Sequence, residues 1–345
     1  NPPWSGGFTW TKSQDGYPWI GVSCQANGSY LWYPSKEHPS DEPEGADIHI
    51  TVTKPLSVAS NGVLQKVTDL KNKWHTWHWK TNYNINPYNI NFTVGNFEIV
   101  ERIIPSLEKP LKTQFFVLGE NREGADKLLD HAEIYIDFFT RSFGQYPWLK
   151  EKLGIVNTPY LGMEHQTIIA YGNDYKYNDK GYDFLLFHEL AHEWWGNYLS
   201  VSDWADFWIH EGFAIYSEAL FVEEKHGLNE YNNFFKKNLL KKIPLNRPVV
   251  LDRNSTMKQI MGLDPYYKGA YVLHMLRYVI GDDYFFKIID EFLHSKKQSP
   301  NNQVSTSDFI NIVNKTIDAN IDWFFQVYLY ENEYPVLNKK IKHGS

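Results

Sequence analysis

A single cysteine, Cys24, stands in a chain of 345 residues. No internal disulfide can form, and a thiolate metal site is excluded, so a bound metal must be held by histidine and carboxylate. An excess of basic residues is missing as well: 34 Lys and Arg against 41 Asp and Glu leave a formal charge of -7, without the basic face that nucleic-acid binding requires. No apolar run approaches the ~18 residues that would span a bilayer, and no signal-peptide pattern follows Asn1. Cytoplasm, periplasm and the outside of the cell all stay open. Because the first residue is not methionine, the chain is expected to be part of something longer. Internal repeats and low-complexity linkers are absent too. In their place come 42% hydrophobic and 17% aromatic residues, ample for a sizeable core, over a length that suggests two domains.

Residues 1 to about 110 read as β. Asp47 to Thr53 alternates, with Ile48, Ile50 and Val52 on one face, and Asn61-Gly62 marks a hairpin turn. Trp74, Trp77, Trp79 and Tyr83 continue the strand character. His75 and His78 are an odd number of residues apart in that run, so they point to opposite faces and make no joint metal site. From about Thr113 the period becomes helical through Ala125, Leu128, Leu129, Ala132, Ile136 and Phe139, closed by Gly144 and Pro147. A strand-like stretch from Lys152 to Ala170 and a Tyr- and Asn-rich loop from Tyr171 to Tyr182 follow. Beyond Glu211 the chain reads mainly helical, including Tyr267 to Ile280, Asp283 to His294 and Asp308 to Thr316, the last with a Ser305/Asp308 capping box. A basic tail runs from Asn338 to Ser345, and sequons at Asn27, Asn91, Asn254 and Asn314 carry no assigned function.

The chemistry concentrates in Asp183 to Tyr216, which reads DFLLFHELAHEWWGN and then DFWIHEGFAIY. His188 and His192 are four apart on a predicted helix, so both imidazoles reach one ion. Glu189 adjoins the first. After a gap of eighteen residues, 193 to 210, comes Glu211, in a second helical pattern, as a third ligand. A catalytic zinc keeps three protein ligands and one open position. A helical histidine pair can also be an ordinary hydrogen-bonded core pair. Here the surroundings, Phe184, Leu185, Leu186, Phe187, Leu190 and Ala191, are so apolar that ionisable residues without a partner would be costly. On residues alone the chain reads as a zinc metallohydrolase.

HELAHEWWGN with the glutamate of WIHEGFAIYSE resembles the zinc aminopeptidases of the aminopeptidase N type, whose relatives include the leukotriene-processing epoxide hydrolase. GMEHQT is similar to their G-x-M-E-N motif, PYYKGAYVLHML (Pro265 to Leu276) to the segment with their catalytic tyrosine, and SCQANG and PSDEP to their N-terminal domain. The likeness runs from about Val22 to Leu337. It implies an α+β fold in which a partial β-rich N-terminal domain (1–112) packs on a thermolysin-like, mostly helical catalytic domain (113–338), followed by a basic tail (339–345).

The resemblance also implies one zinc ion held by His188, His192 and Glu211, with Glu189 as general base and Tyr266 as donor to the transition-state oxyanion. Glu164 and Gln25 would receive the substrate's free α-ammonium, Gly162 and Met163 would line its site, and Glu218 would orient a zinc histidine. Four positions depart from the family: His165 replaces asparagine, Leu161 the motif's first glycine, Glu193 glutamine and His210 asparagine. A cationic His165 would compete for Glu164. The family's β-sandwich and C-terminal helical domains, expected to pack on this chain in the whole protein, have no counterpart here, which implies an open groove. The expected reaction is removal of N-terminal residues from peptides. An endopeptidase, an epoxide hydrolase or a non-catalytic zinc-bound peptide-binding module stay as alternatives.

Overall fold

A computed structural model describes residues 6–25, 28–239, 242–243, 247–261, 264–295 and 302–332. Asn27 and the tail from Asn338 lie outside them. The first third is built from β1 (Gly7–Lys12), β2 (Pro18–Ser23), β3 (Ala46–Thr53), β4 (Ser57–Ser60), β5 (Val63–Asp69), β6 (Trp74–Thr81) and β7 (Phe92–Gly95). They form two antiparallel sheets, ordered β1-β2-β7-β4 and β3-β6-β5. As the alternation predicts, Ile48 and Val52 of β3 are buried while His49 and Thr51 are exposed. Trp79 of β6 is buried and donates its indole N–H to the Val58 carbonyl (3.1 Å), tying the two sheets together.

Asn61-Gly62 is not the hairpin its sequence suggests, since β4 and β5 belong to different sheets. The pair is an inter-sheet corner. The Asn61 amide donates to the carbonyls of Asn89 (3.0 Å) and Gln166 (2.6 Å). Gly62 has φ 74°, and a Cβ there would stand 2.0 Å from the Lys80 carbonyl oxygen. His75 and His78 do face opposite ways: His75 is buried against the Leu56 carbonyl (2.7 Å), and His78 meets Asp47 on the outer face.

A five-stranded mixed sheet follows, from β8 (Phe97–Ile104), β9 (Leu111–Leu118), β10 (Leu153–Asn157), β11 (Gly162–Met163) and β12 (Ile169–Tyr171), in the order β11-β12-β10-β9-β8. Parallel β9 and β10 are joined by the long crossover helix α1 (Arg122–Phe143), whose apolar stripe is buried. Residue 112, at the expected domain boundary, lies inside β9, which pairs with both β8 and β10. The continuous strand expected from Lys152 to Ala170 is instead three short ones. Glu164, His165, Gln166 and Thr167 are buried in a tight turn, with Thr167 at φ 59°, and the Gln166 carbonyl and Thr167 hydroxyl bond away from this sheet, to Asn61 and Gly62.

The rest is mainly helical, as predicted: α2 (Phe184–Ala191), α3 (Trp208–His226), α4 (Leu228–Asn233), α5 (Met257–Ile260), α6 (Gly269–Ile280), α7 (Asp282–Leu293), α8 (Thr306–Ile317) and α9 (Asp322–Phe325). Ser305 and Asp308 form the expected capping box at α8. A two-residue parallel pair, β13 (Ser200–Val201) with β14 (Gln303–Val304), was not legible, being shorter than any periodic signal. Among the described residues no helix is long and apolar enough to cross a membrane. The α+β class, with a β-rich first part and a helical second part, agrees with expectation.

Candidate metal centre

Asp183 starts α2: its carboxylate caps the helix by accepting from the Leu186 N–H (3.1 Å) and also accepts from Asn173 (3.0 Å). One turn later His188 faces inward. His192 stands at the helix's C-terminal end rather than in its interior, and its Nδ1 is held by the Trp195 carbonyl (2.9 Å). The first turn of α3 delivers Glu211. The His188 and His192 Nε2 atoms are 3.3 Å apart, and Glu211 Oε2 lies 3.3 and 3.5 Å from them.

This arrangement fits a cation. With Nδ1 of His192 held by a carbonyl, and Nδ1 of His188 by Glu218 (3.3 Å), both Nε2 atoms face the middle of the cluster; burial lowers both imidazoles but the acidic neighbours, Glu211 foremost, outweigh it and raise them, so a bound cation would take the place of the Nε2 protons. Both Nε2 atoms meet Glu211 Oε2, which is buried and, among the described residues, accepts no hydrogen bond of good geometry. Three ligand atoms aimed at one point, in a buried site, are the donor set of a metal ion. Glu218 also accepts from the Tyr182 hydroxyl (3.3 Å), which fixes it behind His188.

Two further carboxylates border the cluster. Ligand atoms of Glu164, Glu189 and His192 all lie within 4.8 Å of one another. Burial pushes the Glu189 carboxyl up to about 8; His188 and His192 oppose the rise, and Glu164 and Glu211 add to it. The Glu164 carboxyl is raised by burial too, against the pull of His192. Gly162 makes the space for Glu189: a Cβ at 162 would come 2.8 Å from Glu189 Oε1 and 2.6 Å from Leu185 Cδ1. Met163 is buried beside it in β11.

Tyr266 sits in a π-turn (Asp264–Lys268) leading into α6. Its placement rests on a close helix crossing, where a Cβ on Gly269 would lie 3.2 Å from the Gly212 Cα. Burial, with the charges of Glu211 and Glu164, holds the Tyr266 phenol well above its ordinary range, so it keeps its proton. Gln25 reaches in from the N-terminal sheets, and its amide N–H donates to the Tyr266 hydroxyl (2.9 Å) and toward Glu211 Oε1 (3.4 Å).

The predicted site residues with polar side chains therefore gather around one point, and Met163 is packed in the core next to Gly162. A residue that sequence reasoning missed joins them: buried Tyr88 donates its hydroxyl to Glu164 Oε1 (3.0 Å). No motif marks it, because it comes from a short 3-10 turn in the N-terminal part. His165 does not compete for Glu164 as a cation. Burial pushes its imidazole down to about 3, and neither ring nitrogen has a hydrogen-bond partner among the described residues. Glu193 is a structural anchor, accepting from Tyr146 (3.1 Å), Trp148 (2.6 Å), the Thr167 N–H (3.0 Å) and Asn197 (3.2 Å).

Fold and donor set together define the scaffold of a two-histidine, one-glutamate metallopeptidase. Residues 128–328 match the model of the peptidase family M1 domain, and the chain belongs to that family. It is 28% identical to human endoplasmic reticulum aminopeptidase 1 over 246 residues, covering 65% of this chain and 26% of the relative. Leucine aminopeptidase 2 of Vanderwaltozyma polyspora is 27% identical over an alignment of 360 positions that covers 94% of this chain and 50% of that one. The chain thus spans between a quarter and a half of the length of these curated relatives. The fold is shared with the M1 zinc metallopeptidase from Deinococcus radiodurans (TM-score 0.74, 22% identity, 96% of this chain and 74% of that chain). It is also shared with Legionella pneumophila aminopeptidase A (TM-score 0.78, 16% identity, 93% and 38%).

Proposed function

We propose that this chain carries the catalytic centre of a zinc-dependent aminopeptidase, with His188, His192 and Glu211 holding one zinc ion. Zinc, when bound, supplies Lewis acidity, acidifies water and offsets the repulsion among Glu164, Glu189 and Glu211. Glu189 accepts a proton from the attacking water and passes it to the leaving amine. The neutral Tyr266 hydroxyl donates to the oxyanion that develops at the scissile carbonyl. Glu218 keeps His188 in the tautomer that offers Nε2. The division into a β-rich domain (1–112) and a catalytic domain (113–338) belongs to this reading, and the pairing of β8 with β9 favours drawing its boundary near Asn96.

One observation carries the exopeptidase reading: Glu164 is a buried carboxylate beside the metal cluster, oriented by Tyr88. A buried acidic group there pairs with a free α-ammonium and sets the first peptide bond against the reacting groups. Gln25 offers its amide oxygen to the same amine. Endopeptidase, epoxide hydrolase and non-catalytic readings find no support among the relatives, which are named aminopeptidases. Hydrolysis of a peptide and of its N-acetylated form tests the proposal. The free peptide should be cleaved from its N-terminus, the acetylated one should not, and Glu164→Ala should lower kcat/KM on the free peptide by about 100-fold or more, as expected for a lost charge-assisted pair. Equal cleavage of both forms would contradict it.

A further inference from the structure

A second group of potential metal ligands stands on the outer face of the β3-β6-β5 sheet, on strands that give no residue to the centre above. His49 and His78 are direct cross-strand partners, with rings stacked at 4.0 Å between centroids and 16° between planes. Asp47, two residues before His49, projects from the same face, and its Oδ1 lies 2.7 Å from His78 Nε2. One ligand atom from each of the three lies within 4.8 Å of the others. The opposite face of the same strands is fixed by buried Ile48, Val52, Trp77 and Trp79, so the backbone that carries the three groups is rigid.

We propose that Asp47, His49 and His78 form a second, solvent-accessible site for a divalent transition metal such as zinc, copper or nickel. Two imidazoles and one carboxylate suit those ions. Calcium would need six to eight oxygens, and magnesium a near-octahedral oxygen shell. The neighbouring charges leave room for it. Lys80 approaches the other carboxylate oxygen, Oδ2, at 3.7 Å, so Oδ1 stays with the histidines. Lys66 is the partner of His78 on the far side, across β5, and is exposed, so its ammonium can stay in solvent. Water fills the remaining coordination positions, as both Asp47 and His49 are exposed.

Titration of the metal-free protein with Cu2+, followed by calorimetry and electron paramagnetic resonance, tests this. Wild type should take up two equivalents, one of them with the hyperfine pattern of two imidazole nitrogens on an exposed ion. The His49→Ala/His78→Ala double variant should lose that equivalent and keep the other. The kept equivalent also shows that the variant is folded. Asp47→Asn should weaken the second equivalent without abolishing it. Equal stoichiometry in wild type and the double variant would overturn the proposal.

Discussion

Glu189 and Glu211 are both buried glutamates, yet their surroundings treat them differently. Burial pushes Glu189 up to about 8, whereas for Glu211 the nearby His192 and His188 outweigh burial and hold its carboxyl below the usual range. This contrast suits the roles proposed for them, Glu189 exchanging a proton and Glu211 remaining a charged ligand. The same logic applies to Tyr266, whose phenol keeps its proton and is already engaged by Gln25. On the mechanism proposed above, Tyr266→Phe removes a donor that matters only once charge develops on the substrate. It should therefore reduce kcat by about 100- to 1000-fold with little change in KM. Steady-state kinetics on an aminoacyl arylamide checks this, and a change confined to KM would assign Tyr266 to ground-state binding instead.

At the scale of elements, the metal centre depends on how α2 begins and how α3 crosses α6. Asp183 caps α2 and also receives the Tyr171 hydroxyl and the Asn173 amide. Asp183→Ala strips the cap and removes the acceptor of the Tyr171 hydroxyl and one of the two acceptors of the Asn173 amide, which keeps the Lys176 carbonyl (2.9 Å). A loss of about 2–4 kcal/mol is expected, combining a cap with a buried unsatisfied group, and urea denaturation would measure it. These helices were legible because an apolar run with Asp183 before it and paired histidines within it admits little else. The limits of that reading lie where local signals conflict with packing. Asn61-Gly62 has the composition of a hairpin but serves a corner between sheets, because its side chain and its missing Cβ answer to distant carbonyls. The turn around Glu164 read as strand, since the apolar residues on either side hide a buried polar loop. Tyr88 carries no pattern at all, as its role depends on a contact with a residue 76 positions away.

For the whole molecule, the two parts meet through polar contacts at the centre: Gln25 on Tyr266, Tyr88 on Glu164 and Asn61 on Gln166. The β-rich part is thus a wall of the site and not an appendage. Buried titratable groups should set the pH range of stability. His165 stays neutral in the folded chain down to about 3, whereas in the unfolded chain it takes up a proton near 6.5. Between those values the unfolded state binds more protons, so stability falls as pH falls through that window, by about 1.4 kcal/mol per pH unit for this group. Glu193 acts with opposite sign: burial raises its carboxyl to about 7, so its contribution is fully present below the unfolded value near 4.5 and declines as pH rises from there to about 7. His165→Asn should therefore flatten the acid side of the stability profile, measured by denaturant unfolding from pH 6.5 to 4. An unchanged slope would mean that His165 becomes protonated within the fold.

In the proposed mechanism the cluster of His188, His192 and Glu211 serves catalysis with Glu189 as its base. The most direct test is turnover of an aminoacyl arylamide by zinc-loaded wild type and Glu189→Gln, with zinc affinity at the tighter site measured on both. A fall in kcat of about 100- to 10,000-fold with zinc affinity retained is predicted; unchanged turnover would contradict the account.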